Sequence, residues 1–217
     1  MDAIIQPGLV APMAEMARDL GCTRMSFVAQ NGRLTALATT PDKSVLLNGF
    51  VPAKVLEAGG FSLEERHLTM MMSPSMAKAH ISYDGDEMAS LSYSRRNSSS
   101  WATPFTGRRH PARHLPAEHD AQAVVQTSRL LDSIYQDFDA APVGIKAAGG
   151  RLVVNGVDVG SAQGEAAGRY EWRPLACMLN GCQHAEFTTV WITDGGPLLL
   201  LCTEEINLRM CVAHLDR

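Results

Sequence analysis

Apolar and polar positions follow one arrangement twice along this chain. Near the start, apolar residues fall at helical spacing from Leu9 to Leu20, with charged residues opposite them and Gly21 as a stop signal. Strand patterns then follow, separated by tight turns, and this order predicts one amphipathic helix followed by antiparallel strands. The predicted strands are 24–30, 33–40, 44–51 and 60–65, with a short helix over 67–75 and a hairpin at 78–83 and 87–95.

The second half shows the same order. From Glu118 onward, Ala121, Val124, Val125 and Ile134 fall at helical spacing, which predicts a long helix. A second short helix is predicted to open at Arg173-Pro174, because proline suits the first helical turn. Strands are predicted at 143–147, 151–158 and 168–172, followed by a hairpin at 187–193 and 197–203 and a last strand near 208–214.

Turn sequences mark the repeat. Asn31-Gly32-Arg33-Leu34 and Gly149-Gly150-Arg151-Leu152 lie 118 residues apart, and Asp84-Gly85 and Asp194-Gly195 lie 110 residues apart. Self-similarity at this period predicts a duplicated domain of about one hundred residues. We therefore expect an α+β fold in two domains, 1–103 and 118–217, with helices covering one sheet face. Residues 104–117, rich in proline and arginine, are the predicted interdomain connector.

The charge distribution excludes tight binding of duplex DNA by adhesion. Residues 1–110 carry 11 Lys and Arg against 10 Asp and Glu, whereas residues 111–217 carry 8 against 13. Strong duplex binders have a large basic excess, because each neutralised phosphate releases counterions. The sequence has no apolar run of the roughly 20 residues that a membrane span needs. Five cysteines and an N-terminus without a secretory pattern predict a cytoplasmic protein with reduced thiols.

Several groups of Cys and His residues could suggest a metal site. Cys177, Cys182 and His184 are close in sequence, with His80 in the equivalent hairpin of the first half. Their spacing lacks the Cys-x2–4-Cys pattern of zinc sites, so core packing of Cys177 is the favoured interpretation. Three further histidines, His110, His114 and His119, are expected in a solvated linker. No catalytic motif stands out, and we expect no catalytic residue, no cofactor and no bound metal.

A family resemblance rests on three consecutive segments of the second half. These are Val124-Val125-Gln126-Thr127-Ser128-Arg129-Leu130-Leu131, then Val143-Gly144-Ile145-Lys146, then Arg151-Leu152-Val153-Val154-Asn155-Gly156-Val157-Asp158. In order and spacing they resemble the DNA sliding clamps, most closely the processivity clamps of T-even-like bacteriophages and more distantly PCNA. The segment 87–104 is similar to the end of the phage clamp's first domain.

The resemblance implies a homotrimeric ring, with antiparallel sheets outside and two helices per domain lining the hole. It implies that the ring encircles duplex DNA without sequence specificity, tethers a DNA polymerase and is loaded by an ATP-dependent clamp loader. A threaded ring is retained by enclosure, so weak phosphate contacts suffice. The expected DNA-facing cations are Arg18, Arg66, Lys78, Arg129 and Arg173. The expected pocket for a partner peptide involves Phe105, Met210, Val212 and Leu215.

Other interpretations stay open at this point. Within the same fold, the chain is a candidate subunit of a heterotrimeric checkpoint-like clamp, or a viral processivity factor that forms no ring. Outside it, a metal-dependent enzyme using Cys and His residues and a peptide-binding adaptor without a DNA role are the alternatives. Acidic residues on the predicted helices, among them Glu15, Asp19 and Asp132, make the expected lining less basic than in the clamp family.

Overall fold

The computed structural model describes residues 1–64, 78–83, 88–94, 100–109, 115, 118–135, 142–203 and 207–215. For residues 7–9, 78–79, 88–94 and 100–109 it describes the backbone alone. The chain divides into two compact units. Unit 1 comprises Met1–Pro41, Leu47–Arg113 and Glu205–Asn207; unit 2 comprises Asp42–Leu46, His114–Glu204 and Leu208–Arg217.

The first part of the chain contains one described helix and nine strands. The helix is α1 (Pro7–Asp19). The predicted short helix over 67–75 lies outside the described residues. The strands are β1 (Asp2–Ile5), β2 (Arg24–Gln30), β3 (Arg33–Thr39), β4 (Val45–Pro52), β5 (Lys54–Glu57), β6 (Gly59–Glu64), β7 (Lys78–Tyr83), β8 (Met88–Ser94) and β9 (Ser100–Arg109).

The second part contains two described helices and eight strands. The helices are α2 (Thr127–Tyr135) and α3 (Trp172–Gly181). None of the three described helices is long and apolar enough to cross a bilayer. The strands are β10 (Ala121–Gln126), β11 (Val143–Ala148), β12 (Arg151–Val154), β13 (Val157–Gly164), β14 (Ala166–Tyr170), β15 (Phe187–Ile192), β16 (Leu198–Thr203) and β17 (Asn207–Val212).

The strand pairings repeat between the two parts, and each of the six pairs of matching pairings below is antiparallel in the residues that the structure describes. Strand β1 pairs with β5 and β7, as β10 pairs with β13 and β15. Strand β2 pairs with β3 and β6, as β11 pairs with β12 and β14. Strand β7 then pairs with β8, as β15 pairs with β16. The predicted α+β fold with a duplicated pattern is therefore confirmed.

The turns that marked the repeat in the sequence are matched in backbone geometry. Asn31 and Gly32 have φ values of 52° and 72°, and Gly149 and Gly150 have values of 57° and 77°. Two successive positive φ angles define the two-residue turn that suits the twist of a β-hairpin. The residues flanking these turns pair directly, Gln30 with Arg33 and Ala148 with Arg151. Both predicted hairpins are confirmed.

Gly21 ends helix α1 as the sequence predicted. Its φ of +72° takes the chain out of the helix, and its amide donates to the Arg18 carbonyl at 2.8 Å. The amide of Cys22 donates to the Ala17 carbonyl at 2.8 Å. This pair of bonds satisfies carbonyls that the helix end would otherwise leave open, and it requires a residue that tolerates a left-handed backbone.

The long helix predicted from Glu118 is wrong over its first half. Residues Ala121–Gln126 form strand β10, and helix α2 begins only at Thr127. Ala121, Ala123 and Val125 are buried while the residues between them are exposed, which is the two-residue period of a strand. The helical spacing of Ala121, Val124 and Val125 is coincidental, because Val124 points away from the core.

Three further strand predictions need correction. The single strand predicted at 151–158 is a hairpin, because Asn155 and Gly156 have φ values of 49° and 83° and form a turn between β12 and β13. Strands β1 and β5 were not predicted. Strand β9 pairs with β8 from Ser100 to Thr106 and with β6 from Gly107 to Arg109, so it continues past residue 104, where the connector was expected to start.

Each unit has its own apolar core. In unit 1 the rings of Phe27 and Phe61 stack at 5.5 Å between centroids, and Tyr83 lies 5.5 Å from Phe61. In unit 2 the core includes Tyr170 and Leu175, both fully buried, with the inward side chains of β15 and β16. Burial of this kind is the main source of stability, at about 25 cal/mol per Å² of apolar surface.

Candidate nucleic-acid interface

Arg18 lies on the exposed side of α1, close to its end. Val10, Met13, Ala14 and Ala17 bury the opposite side of the helix. The Arg18 guanidinium is bonded through Nε and Nη2 to the Asp19 carboxylate, both at 3.3 Å, and about half of each side chain is exposed. This neighbouring carboxylate offsets part of the positive charge that Arg18 presents to solvent.

Hydrogen bonds link Thr127, the first residue of helix α2, to the beginning of strand β15. The Thr127 amide donates to the Glu186 carbonyl at 3.0 Å, and the Thr127 hydroxyl lies 2.9 Å from that of Thr188. Thr127, Leu130, Ser133 and Ile134 are buried, so the helix presents the intervening side chains to solvent. The exposed residues are Ser128, Arg129 and Asp132.

Arg129 is held by the strand beside its helix. Its Nη2 donates to the carbonyl oxygen of Asp158 at 2.9 Å. The Asp158 carboxylate in turn accepts a 2.7 Å hydrogen bond from Arg151 Nε and pairs with the same guanidinium through Nη2. The Gly160 amide donates to the other carboxylate oxygen at 3.1 Å. Asp158 therefore brings two arginines together and neutralises one of them.

Arg173 is exposed in the first turn of α3, one residue before the buried Pro174. Helices α2 and α3 contact each other, and the Asn180 amide donates to the Tyr135 hydroxyl at 2.8 Å. Arg129 and Arg173 thus lie on two helices that pack side by side within unit 2.

The other two predicted cations are not placed as side chains. Arg66 lies outside the described residues. Lys78 opens β7, where its backbone pairs with Ser94, but its side chain is not described. Assignment of any of the five cations to DNA stays a prediction.

The charges on the described helices balance. In number, helix α1 of unit 1 carries one exposed cation and two exposed carboxylates, and helices α2 and α3 of unit 2 carry two exposed cations and one exposed carboxylate. They are Arg18, Arg129 and Arg173 against Glu15, Asp19 and Asp132. The helices of either unit would therefore offer a polyanion few net phosphate contacts, and the resulting attraction would be weak and strongly reduced by salt.

The residues predicted for a partner pocket differ in how far their side chains are buried. Met210 and Val212 on β17 are buried, at 0% and 1% exposure, so both side chains belong to the core. Leu215 is half-buried, and its amide donates to the Arg169 carbonyl at 2.8 Å. Phe105 pairs with Ala89 across β9 and β8, and its side chain is not described. The pocket itself stays a prediction from the resemblance.

The Cys and His residues considered as metal ligands differ in their exposure to solvent. Cys182 is buried, Cys177 half-buried and His184 exposed. His80 Nε2 contacts the Asp2 carboxylate on the adjacent strand β1. Within the residues that the structure describes, no three His, Cys, Asp or Glu side chains are grouped to hold a metal ion. His110 and His114 lie outside those residues.

Sequence analysis missed a ring stack in unit 2. The imidazole of His119 stacks on the indole of Trp191, with centroids 4.3 Å apart and planes inclined by 14°. Both line a small recess with Glu118, Thr193, Pro197 and Leu199. His119 was expected in a solvated linker. The alternation of buried and less buried residues along β15 was the one signal in the sequence that could have placed Trp191 on the sheet face away from the core.

The fold is that of the PCNA clamps. PCNA from Thermococcus kodakaraensis matches 99% of this chain and 100% of its own, with a TM-score of 0.74 and 13% identity. A. fulgidus PCNA, solved with the C-terminal region of FEN-1 bound, matches 100% of this chain and 98% of its own, with a TM-score of 0.77 and 11% identity. A chain of the PCNA2–PCNA3 complex from Sulfolobus tokodaii matches 99% of this chain and 99% of its own, with a TM-score of 0.74 and 11% identity. No protein-family model and no curated protein matches the sequence.

Proposed function

We propose that this protein is a DNA sliding clamp that encircles duplex DNA and raises the processivity of a DNA polymerase. The observation that carries the proposal is the repeated pairing scheme, in which each half of the chain places its helices and strands in one order, together with the PCNA fold over the full length. Two such halves in each of three subunits would give a ring with pseudo-sixfold symmetry. The protein would act as a scaffold and perform no chemistry.

The charge balance of the helices supports retention by enclosure. Three cations against three carboxylates cannot hold a polyanion tightly, yet a closed ring needs only weak contacts to slide along its DNA. We propose that Arg129 and Arg173, on adjacent helices of unit 2, contact phosphate groups. The proposed site of action is the cytoplasm, where a replicating DNA would be available to an ATP-dependent loader.

Partner proteins would bind through short segments. A. fulgidus PCNA binds the C-terminal region of FEN-1, and we propose that this chain likewise receives terminal segments of its polymerase and of other DNA enzymes. Peptide docking of this kind relies on a few buried anchor side chains. The closer resemblance to T-even-like phage clamps stays part of this proposal.

A mixed ring is the second candidate. The similarity to a complex of two different PCNA chains from Sulfolobus tokodaii favours considering this chain as one member of a heteromeric clamp. Light scattering separates the two assemblies, because a homotrimer has about three times the chain mass of 23.5 kDa. A chain that stays monomeric alone and forms a ring only with a different subunit is the result that a mixed clamp predicts.

The decisive experiment measures polymerase products on primed DNA. With this protein, its loader and ATP, products on circular templates should lengthen markedly. On linear templates with open ends the effect should be lost, because the ring slides off. Equal stimulation on both templates would contradict enclosure, and absence of stimulation on circles would contradict the clamp function.

A further inference from the structure

Arg129 is an exposed cation that forms no ion pair with a carboxylate in the part of the chain that the structure describes. Its hydrogen bond goes to a neutral group, the carbonyl oxygen of Asp158, at 2.9 Å. Arg18 on α1 differs in this respect, because its guanidinium pairs with the Asp19 carboxylate at 3.3 Å. A carboxylate beside a cation opposes its attraction for phosphate. Arg129 therefore offers a phosphate group a fuller charge than Arg18 does.

A carboxylate nevertheless belongs to the residue whose carbonyl Arg129 binds. The carboxyl group of an aspartate is attached through Cβ and Cα to its own carbonyl group. A change of side-chain rotamer therefore moves the carboxylate towards or away from a group bound at that carbonyl. A carboxylate is also a stronger acceptor for a guanidinium than a neutral carbonyl is. The charge on Arg129 thus depends on what holds the Asp158 side chain in its present rotamer.

Two donors occupy both oxygens of the Asp158 carboxylate. Arg151 Nε donates to one oxygen at 2.7 Å, and Nη2 of the same guanidinium pairs with that oxygen. The Gly160 amide donates to the other oxygen at 3.1 Å. Arg151 reaches the carboxylate from β12, where Val153 is the residue opposite Asp158. Of these two donors, Arg151 is the one that supplies a positive charge.

The pair of Arg151 and Asp158 is open to solvent. The Arg151 side chain is 60% exposed and that of Asp158 is 38% exposed. An ion pair at this exposure contributes little to stability, so the fold should survive its loss. Without Arg151, however, the Asp158 carboxylate would keep a single amide donor and an uncompensated charge. Arg129, which is already bonded to this residue, would then be its nearest described cation.

We propose that Arg151 is a positioning residue for the phosphate contact of Arg129. Arg151 holds the Asp158 carboxylate and so prevents it from neutralising Arg129, without touching DNA itself. Its side chain is exposed at the start of β12, whereas Leu152 and Val154 on the same strand are buried. The inference rests on the proposed function, because it requires that α2 approaches duplex DNA.

The experiment measures the affinity of the full-length protein for a labelled duplex by fluorescence anisotropy at several salt concentrations. Arg129→Gln sets the scale, because losing one phosphate contact lowers the slope of log affinity against log salt by about 0.9. Arg151→Gln should lower the slope by a large part of that amount. Asp158→Asn should keep a slope at least as steep as that of wild type. In the Asp158→Asn background, Arg151→Gln should have no further effect.

Two variants serve as controls. Lys146→Gln removes an exposed cation from β11, which is separated from β13 by β12, and it should leave the slope unchanged. Arg151→Lys keeps a positive charge beside the carboxylate and should restore a slope close to that of wild type. Thermal unfolding checks that each variant is folded. Arg151→Thr replaces Arg151→Gln if that variant is not, since threonine suits a strand.

A crystal structure of Arg151→Gln tests the inference without DNA. Its expected result is an ion pair between Arg129 and the Asp158 carboxylate. A carboxylate that stays on the Gly160 amide, with Arg129 still on the carbonyl, would overturn the proposal. An equal loss of slope from Arg151→Gln in the wild-type and Asp158→Asn backgrounds would also overturn it, because Arg151 would then contact DNA directly.

Failure of the proposed function gives a different result. An unchanged slope for Arg129→Gln would overturn the phosphate contact itself. The crystal structure of Arg151→Gln would still decide whether Arg151 keeps the Asp158 carboxylate away from Arg129.

Discussion

The buried phenol of Tyr170 donates a 3.0 Å hydrogen bond to the carbonyl oxygen of Gly196. This bond joins the end of β14 to the turn between β15 and β16, two segments that do not pair directly at that point. Tyr170 is fully buried. The pKa of its phenol is raised well above the usual range, first by burial and then by the nearby Asp194 carboxylate.

Tyr170→Phe should destabilise the protein by about 1–2 kcal/mol, because the Gly196 carbonyl loses its partner while the ring still fills the core. Urea denaturation measures the change as a lower midpoint with an unchanged slope. A variant as stable as wild type would show that water satisfies the Gly196 carbonyl equally well.

Gly168→Ala should destabilise the protein by about 1–3 kcal/mol. A Cβ at Gly168 would overlap the ring and the hydroxyl of Tyr170, which passes directly over this glycine. Gly144→Ala on the paired strand β11 is the matched control, because a Cβ there meets no atom within 4 Å. Thermal unfolding of both variants should show a large loss for the first and little change for the second. Similar losses would disprove the steric explanation.

Alkaline pH should weaken the fold in part through Cys211. Burial raises the pKa of this thiol from 9.0 to about 11. The folded state therefore keeps its proton where the unfolded state loses it, so stability from this group is full below pH 9.0 and is lost as pH rises towards about 11. In Cys211→Ser the unfolding free energy should fall less steeply across this range. An equally steep fall would assign the pH dependence to other groups such as Tyr170.

Arg129→Gln should weaken contact with duplex DNA and reduce its salt dependence. Removing one phosphate contact lowers the slope of log affinity against log salt by about 0.9. Arg33→Gln is the control, because Arg33 is an exposed cation held over the Phe50 ring at 5.1 Å and lies on no described helix. Anisotropy of a labelled duplex at several salt concentrations measures both. The same slope for wild type and Arg129→Gln would remove Arg129 from the DNA-facing set.

Phe105→Ala tests the partner pocket that the clamp resemblance implies. We expect weaker stimulation of the polymerase on circular templates, since an apolar anchor site would be lost. The oligomeric mass, measured by light scattering, should stay that of wild type. Full stimulation by the variant would argue against a role for Phe105 in partner docking.

Local signals in the sequence predicted much of the fold. Asn31-Gly32 and Gly149-Gly150 are turns because few other residue pairs accept two positive φ angles, and Gly21 ends α1 for the same reason. The strands on both sides of Asn31-Gly32 and the strand before Gly149-Gly150 were predicted to within a residue, whereas the strand predicted after Gly149-Gly150 ran through a second turn. The boundaries that rest on turn chemistry need no knowledge of distant residues.

Features set by distant contacts could not be predicted in this way. Strand β10 mimics a helix because valines at 124 and 125 are adjacent, and only its pairing with β13 and β15 shows which of them is inward. The same holds for the candidate sites. Arg129 meets the Asp158 carbonyl 29 residues later in the chain, and His119 stacks on Trp191 after several intervening strands.

The repeated pairing scheme has a consequence for how such a protein diversifies. A protein assembled from identical copies of one half would repeat every surface, so a substitution in one surface would recur in every copy. Once the gene carries two copies, each half accumulates its own substitutions. Residues 1–110 carry 11 basic against 10 acidic side chains and residues 111–217 carry 8 against 13, so the two halves present different charges although they share one pairing scheme.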